Sequence, residues 1–150
     1  MNKDEIEKIL YTQNLHLATI SQRATAFFLD ELLLSLLVTV ALWSSFENAK
    51  TIQELIVLSN SFAMDYIILK IIYQTFFVYQ YGATLGKLAM KIKVIEIRTQ
   101  SNPSFASSLN RAIFRIISEM FFYLGFLWAM MDPLKQTWHD KTAKTLVIKS

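Results

Sequence analysis

The chain has 150 residues, 53% of them apolar and 18% charged, with a formal net charge of +3, three glycines, two prolines and no cysteine. Such a composition fits one small helical membrane domain and excludes disulfides, thiolate nucleophiles and cysteine-based metal sites. His16 and His139 stand far apart without a metal-ligand spacing, and no nucleophile elbow or cofactor motif occurs, so neither an enzyme nor a metal or cofactor site is expected.

Residues 1–22 mix Lys3, Asp4, Glu5, Glu7 and Lys8 with Ile6, Ile9, Leu10 and Leu17. A signal peptide needs a continuous apolar stretch after a basic start, and this segment has none. Ile6, Ile9 and Leu10 fall near one helical face, which predicts an amphipathic cytoplasmic helix lying on the membrane or on the protein. From Ala24 to Trp43 the chain is apolar for twenty residues, about 30 Å of helix and the thickness of a hydrocarbon core. Arg23 stands at the mouth of this span, and Asp30 and Glu31 lie inside it, where a charge costs roughly 2.5 to 3.5 kcal/mol on insertion scales. Seven residues separate Arg23 from Asp30, nearly two turns or about 10 Å, so each is expected to find its own partner elsewhere. Two readings stand: an interfacial anchor with a structural buried pair, or an ion or proton site.

Ser44 to Ser61 is polar and predicts a short outer loop with a helical turn or two. Phe62 to Tyr81 is the second span, with Asp65 near its start and Lys70 near its middle. A lysine stem reaches the carboxylates of the first span, so Lys70 is expected to neutralise Asp30 or Glu31 across the helix interface. Tyr66, Tyr73, Gln74, Phe77 and Tyr81 extend a polar and aromatic stripe predicted to face protein. Six basic residues, Lys87, Lys91, Lys93, Arg98, Arg111 and Arg115, follow the second span, against Lys50 alone in the outer loop. The positive-inside rule then puts the N-terminus and the segment after Tyr81 in the cytoplasm.

Gly82 and Gly86 predict a tight turn, and Lys87 after them lacks the Walker spacing, so nucleotide binding is not expected. Lys91 to Ile97 and Thr145 to Lys149 are β-prone, and a pairing between them requires both on the cytoplasmic side. Ser104, after Pro103, caps a predicted helix carrying Arg111, Arg115 and Glu119 at four-residue intervals. Arg115 is placed to pair with Glu119, and Arg111 to meet Asp132, Asp140 or a lipid phosphate; with Lys87, these arginines are the candidate lipid or interface residues. Ile116 to Met131 is sixteen residues, about 24 Å, and is broken by Glu119. It predicts a re-entrant or interfacial hairpin bending near Gly125, with a third full crossing as the alternative. His139 beside Asp140 reads as a surface helix pair.

Three pieces stand in order between Ile20 and Ile148: Gln22-Arg23-Ala24 with Phe28-Leu29-Asp30, then Gly82-Ala83-Thr84-Leu85-Gly86-Lys87, then Trp138-His139-Asp140-Lys141 with Ala143 and Thr145. Together they resemble the bacterial RDD membrane proteins, a family named for an arginine and two aspartates. The resemblance implies that Arg23 and Asp30 are the R and the first D, and that Asp132 or Asp140 is the second. Glu31 and the mid-span Lys70 depart from its usual pattern. Transport of ions or solutes is the activity usually suggested for the family.

The expected architecture is therefore an all-α membrane protein with two full transmembrane helices, a short re-entrant or third transmembrane helical element, and a small cytoplasmic β pairing. Residues 1–22 form the N-terminal segment and 23–150 the membrane domain, in a bacterial inner membrane with both termini cytoplasmic. The candidate charge network is Arg23, Asp30, Glu31, Lys70, Glu119, Asp132 and Asp140. Asp30 is the expected ion or proton site, Lys70 and Glu31 its tuning partners, and Arg23 with Asp132 or Asp140 a cytoplasmic latch. The expected function is translocation of protons, sodium or small solutes by a homo-oligomer; the alternative is an accessory or assembly subunit of a membrane complex. Expected partners are the bilayer, anionic headgroups, and another copy or another membrane protein. A sequence pI of about 9.1 does not imply nucleic acid, because the basic residues sit where topology needs them.

Overall fold

The computed structural model of the chain describes residues 3–150 and is mostly helical. Helix α1 (Lys3–Thr12) carries Asp4 and Glu5 in its first turn, where carboxylates offset the helix dipole. Its one buried residue, Ile6, packs into a cluster with Ile95, Ile97, Leu134, Leu146 and Ile148. The amphipathic segment thus lies on protein. Beyond it, Leu17 bridges to Ile148, the Ala18 N–H donates to the Val147 carbonyl at 2.9 Å and the Lys149 N–H to the His16 carbonyl at 2.8 Å.

Helix α2 (Ile20–Ala41) starts from a capping box in which Thr19 and Gln22 satisfy each other's backbone N–H groups. Its 22 residues make about 33 Å of helix. Only Ala26, Asp30 and Leu34 are buried, a single stripe at four-residue spacing, while Phe28, Leu32, Leu36, Leu37 and Val40 stand exposed around it. A helix that is apolar all round and turns most of its apolar surface outward is built for lipid.

The segment expected to be a loop is more helical than its polarity indicated. Helix α3 (Trp43–Asn48) is followed by α4 (Ile52–Ser61), capped by Thr51, and α4 bends by 46° into α5 (Ala63–Tyr81). Helix α5 buries Lys70, Gln74, Thr75 and Val78, so three of its four buried residues are polar. It ends at Gly82, whose φ of 70° closes the turn.

Helix α6 (Leu85–Ala89) docks on α2, and strand β1 (Ile92–Glu96) follows. Helix α7 (Phe105–Met120) is capped by the Ser104 hydroxyl on the Ser107 N–H. Helix α8 (Leu124–Met131) turns away from α7 by 101°, α9 (Trp138–Thr142) packs against both, and strand β2 (Thr145–Lys149) closes the chain. The strands pair antiparallel from Ile92 with Lys149 to Glu96 with Thr145, the pairing their sequences predict.

The bend of the third apolar stretch is displaced from Gly125 to Phe121, Phe122 and Tyr123, the last two at φ 51° and 61°. Gly125 serves a different need: a Cβ there would lie 2.4 Å from the Ser118 hydroxyl and 3.1 Å from the Trp138 ring. By length and composition α2 alone suffices to cross a membrane, and α4–α5 and α7–α8 add two more spans only if each bent pair counts as one.

Candidate functional site

Three charge clusters line the buried seam between α2, α5, α7 and the turn around α9. The first is built on Asp30, 1% exposed at the centre of the α2 stripe. One carboxylate oxygen accepts from the Tyr73 hydroxyl and the Gly86 N–H, each at 2.8 Å, and the other from the Thr84 hydroxyl at 2.7 Å. Tyr73 in turn accepts from the Leu85 N–H at 3.0 Å. Glycine is required at 86 because a Cβ would fall 2.2 Å from the Ala26 carbonyl oxygen. The Gly-rich turn that resembles a phosphate cradle therefore cradles the protein's own carboxylate. Lys87 donates to Thr84 at 3.3 Å; burial pushes its ammonium down to about 7, with Asp30 opposing the shift.

The second cluster is a ring of four charges. One Glu31 oxygen accepts from Lys70 at 3.1 Å and from the Tyr66 hydroxyl at 3.2 Å, and the other accepts from Arg115 at 3.2 Å and lies 3.0 Å from the Lys70 ammonium. Glu119 bonds the same two cations, Lys70 and, at 3.2 Å, Arg115. Arg115 also donates to Gln74 and stacks over the Phe27 ring at 4.6 Å. Two carboxylates and two cations from three helices balance, which lowers the cost of holding them away from water.

The third cluster centres on Asp140, which is fully buried. One oxygen pairs with Arg111; the other accepts from Arg23, from the Thr137 hydroxyl at 2.7 Å and from the Thr137 N–H at 3.0 Å. Arg23 also donates to the Lys135 carbonyl, and Arg111 to Thr145. Burial alone would raise the Asp140 carboxyl, but Arg23 and Arg111 hold it well below the usual carboxylate range. Burial holds the neighbouring His139 imidazole well below its ordinary value.

This geometry decides between the alternatives left open for some residues and corrects the expectation for others. Lys70 reaches Glu31, not Asp30, and Asp30 makes no ion pair among the described residues. Arg23 meets Asp140, whereas Asp132 pairs with Lys141 and accepts from the Gln136 N–H at 3.0 Å. Arg111 meets Asp140 and Arg115 pairs with Glu119, contacts expected of them, but both arginines are buried and not at a headgroup interface. Lys87 turns inward to Thr84. The His139–Asp140 pair is buried, not on the surface. On α5, Gln74 is buried and Tyr66, Tyr73 and Phe77 are partly so, but Tyr81 is 54% exposed.

Residues that sequence reasoning passed over as ligands of these carboxylates are Thr84, Gly86 and Thr137. The last had a local signal, because Thr137-x-x-Asp140 has capping-box spacing. Among the described residues no group of three or more His, Cys, Asp or Glu side chains is disposed to hold a metal ion.

An apolar helix that turns most of its surface outward and buries Asp30 in its one packed stripe, beside a ring of ion pairs shared with neighbouring helices, has the character of a helical membrane protein with a polar interior. The chain belongs to the RDD family, whose model matches residues 17–144, and that family is membrane-associated. An uncharacterized protein of Rickettsia prowazekii (strain Madrid E) is 30% identical over 89 residues, 59% of this chain and 49% of the relative, so the chain spans about half of that relative's length. No solved structure gives a significant match.

Proposed function

We propose that this protein is a non-enzymatic, multi-pass protein of the bacterial inner membrane that translocates a small cation, a proton or sodium, as a homo-oligomer. The observation that carries the proposal is the ring of Glu31, Lys70, Arg115 and Glu119, with Glu31 near the middle of α2 and Lys70 near the middle of α5. Ionisable groups at that depth are costly and mark ion pathways by default. Because each carboxylate is shared by both cations, a proton or sodium ion arriving at Glu31 competes with Lys70 and Arg115 without stranding either, since Glu119 still holds both. Asp30, saturated by three donors of its own chain, then fixes the frame. A homo-oligomer is part of the reading because two or three spans in one chain cannot enclose a path with alternating access.

Both termini are assigned to the cytoplasm. This is supported by the basic residues after Tyr81 and by the way the ends of α7–α8 return to the sheet: the Ser104 N–H meets Glu96 at 3.4 Å, and Gln136 donates to the Thr145 carbonyl at 2.9 Å. The α7–α8 pair is then a re-entrant hairpin.

Purified protein in liposomes under an imposed pH or sodium gradient is expected to carry a flux that Glu31→Gln cuts by about tenfold or more, the loss expected when a buried transport carboxylate is neutralised, with unchanged elution in detergent. Wild-type protein that is folded and oligomeric but carries no flux under either gradient overturns the proposal. It would favour a second reading, an accessory subunit of a membrane complex, for which the observation is that every carboxylate in the seam is already satisfied by its own chain.

A further inference from the structure

We infer that the protein holds one anionic phospholipid, its phosphodiester in a basic recess at the end of the sheet and an acyl chain in the apolar groove beside it. The inference rests on the membrane location of the chain but not on ion transport.

The recess has a volume of about 500 Å³, with Arg98, Lys141 and Lys144 on its walls and Ile6 and Ile97 among its lining. The strand ends bring the three cations together: the Ile97 N–H donates to the Lys144 carbonyl at 3.0 Å, which sets Arg98 and Lys144 side by side beyond the last ladder pair, and the Lys144 N–H donates to the Lys141 carbonyl at 3.2 Å. Asp132 occupies part of Lys141. Arg98 and Lys144 have no ion-pair partner among the described residues, so the recess carries an excess of positive charge.

Lys141 also borders a second cavity, about 430 Å³, lined by Phe114, Ile117, Phe121 and Trp138. Basic recess and apolar groove thus share a wall. Their depth is fixed by α9, whose Asp140 is paired with Arg23 in the first turn of α2, the level at which a spanning helix meets the headgroups. A free phosphate would use only the recess; a zwitterionic lipid would bring its own cation into a site already rich in them. Only an anionic lipid satisfies both walls.

The test titrates purified full-length protein in neutral detergent with phosphatidylglycerol, phosphatidylcholine and inorganic phosphate, following binding by native mass spectrometry and calorimetry. Phosphatidylglycerol is expected to bind about tenfold or more tighter than phosphatidylcholine, and Arg98→Gln and Lys144→Gln each to weaken it about fivefold, as expected for one basic side chain near an anionic surface. Lys149→Gln, on the sheet but outside the recess, leaves binding unchanged. Thr142→Trp, which fills the groove from an exposed position, weakens phosphatidylglycerol and not phosphate. Equal affinity for the two lipids, or indifference to Arg98→Gln and Lys144→Gln, overturns the inference. Phosphate binding as tight as phosphatidylglycerol, with Thr142→Trp silent, overturns it in favour of a free-phosphate site. None of these readouts involves flux, so failure here leaves the transport reading standing.

Discussion

At the scale of single residues, the most constrained position is Gly86. It lets α6 approach α2 closely enough for its N–H to reach Asp30, and the space a methyl group would need is taken by the Ala26 carbonyl 2.2 Å away and by the Asp30 carboxylate. A backbone carbonyl in a helix cannot swing aside as a flexible side chain does. Gly86→Ala therefore has to push α6 off α2, and it lengthens the Thr84 and Gly86 bonds to Asp30 together. Overpacking of this kind costs about 1–3 kcal/mol, and the loosened carboxylate adds to that. The expected outcome is a lower unfolding midpoint in detergent for Gly86→Ala than for Leu85→Ala, whose side chain is exposed. Equal midpoints would mean that the turn does not bear on Asp30 at all.

At the scale of elements, the seam between α2, α5 and α7 is held by the four-charge ring, and its members act as a unit. Lys70→Met leaves Glu31 and Glu119 to share Arg115; Glu31→Gln leaves Lys70 with Glu119 alone. Breaking a fully buried pair costs roughly 3–5 kcal/mol, and because the Glu31 side chain is 25% exposed the expectation here is lower, about 2 kcal/mol for each single change. The double variant restores the charge balance, so its loss falls short of the sum by about 1–2 kcal/mol. Additive losses in a double-mutant cycle, measured by denaturant unfolding in mixed micelles, would show that the two residues do not interact. This contact was legible in the sequence because depth along two spans is simple arithmetic: Glu31 and Lys70 lie at levels a lysine stem can join. The strand pairing was legible for a similar reason, since Thr145 to Lys149 has no use for its backbone groups unless another β-prone segment meets them. The Asp30 cradle was not legible, because its ligands come from 43 to 56 residues away and a Thr-x-Gly turn carries no mark of what it will bind. Nor was the bend at Phe122 and Tyr123, where aromatic residues take the left-handed conformation against their own preference and the Tyr123 N–H turns back to the Ser118 carbonyl at 2.8 Å.

At the scale of the whole molecule, the sheet constrains the topology more tightly than hydropathy does. Strand β1 precedes α7 and strand β2 follows α9, and the two pair in register over five residues, with the Ser150 N–H also donating to the Lys91 carbonyl at 3.0 Å. Both strands therefore lie on one side of any membrane, and the chain between them crosses an even number of times or dips and returns. The 16 and 8 residues of α7 and α8, about 24 and 12 Å, are too short for two separate crossings, which favours the hairpin proposed above. The absence of cysteine makes the consequence directly measurable. Single-cysteine variants in intact cells are expected to react with a membrane-impermeant maleimide at Lys50→Cys, and at Lys149→Cys only after the cells are opened. Phe122→Cys, at the tip of the hairpin, is expected to react slowly from either side because acyl chains shield it, although 87% of Phe122 is free of protein contact. Fast labelling of both Lys50→Cys and Lys149→Cys in intact cells would require a third full crossing, and with it the loss of the β1–β2 pairing.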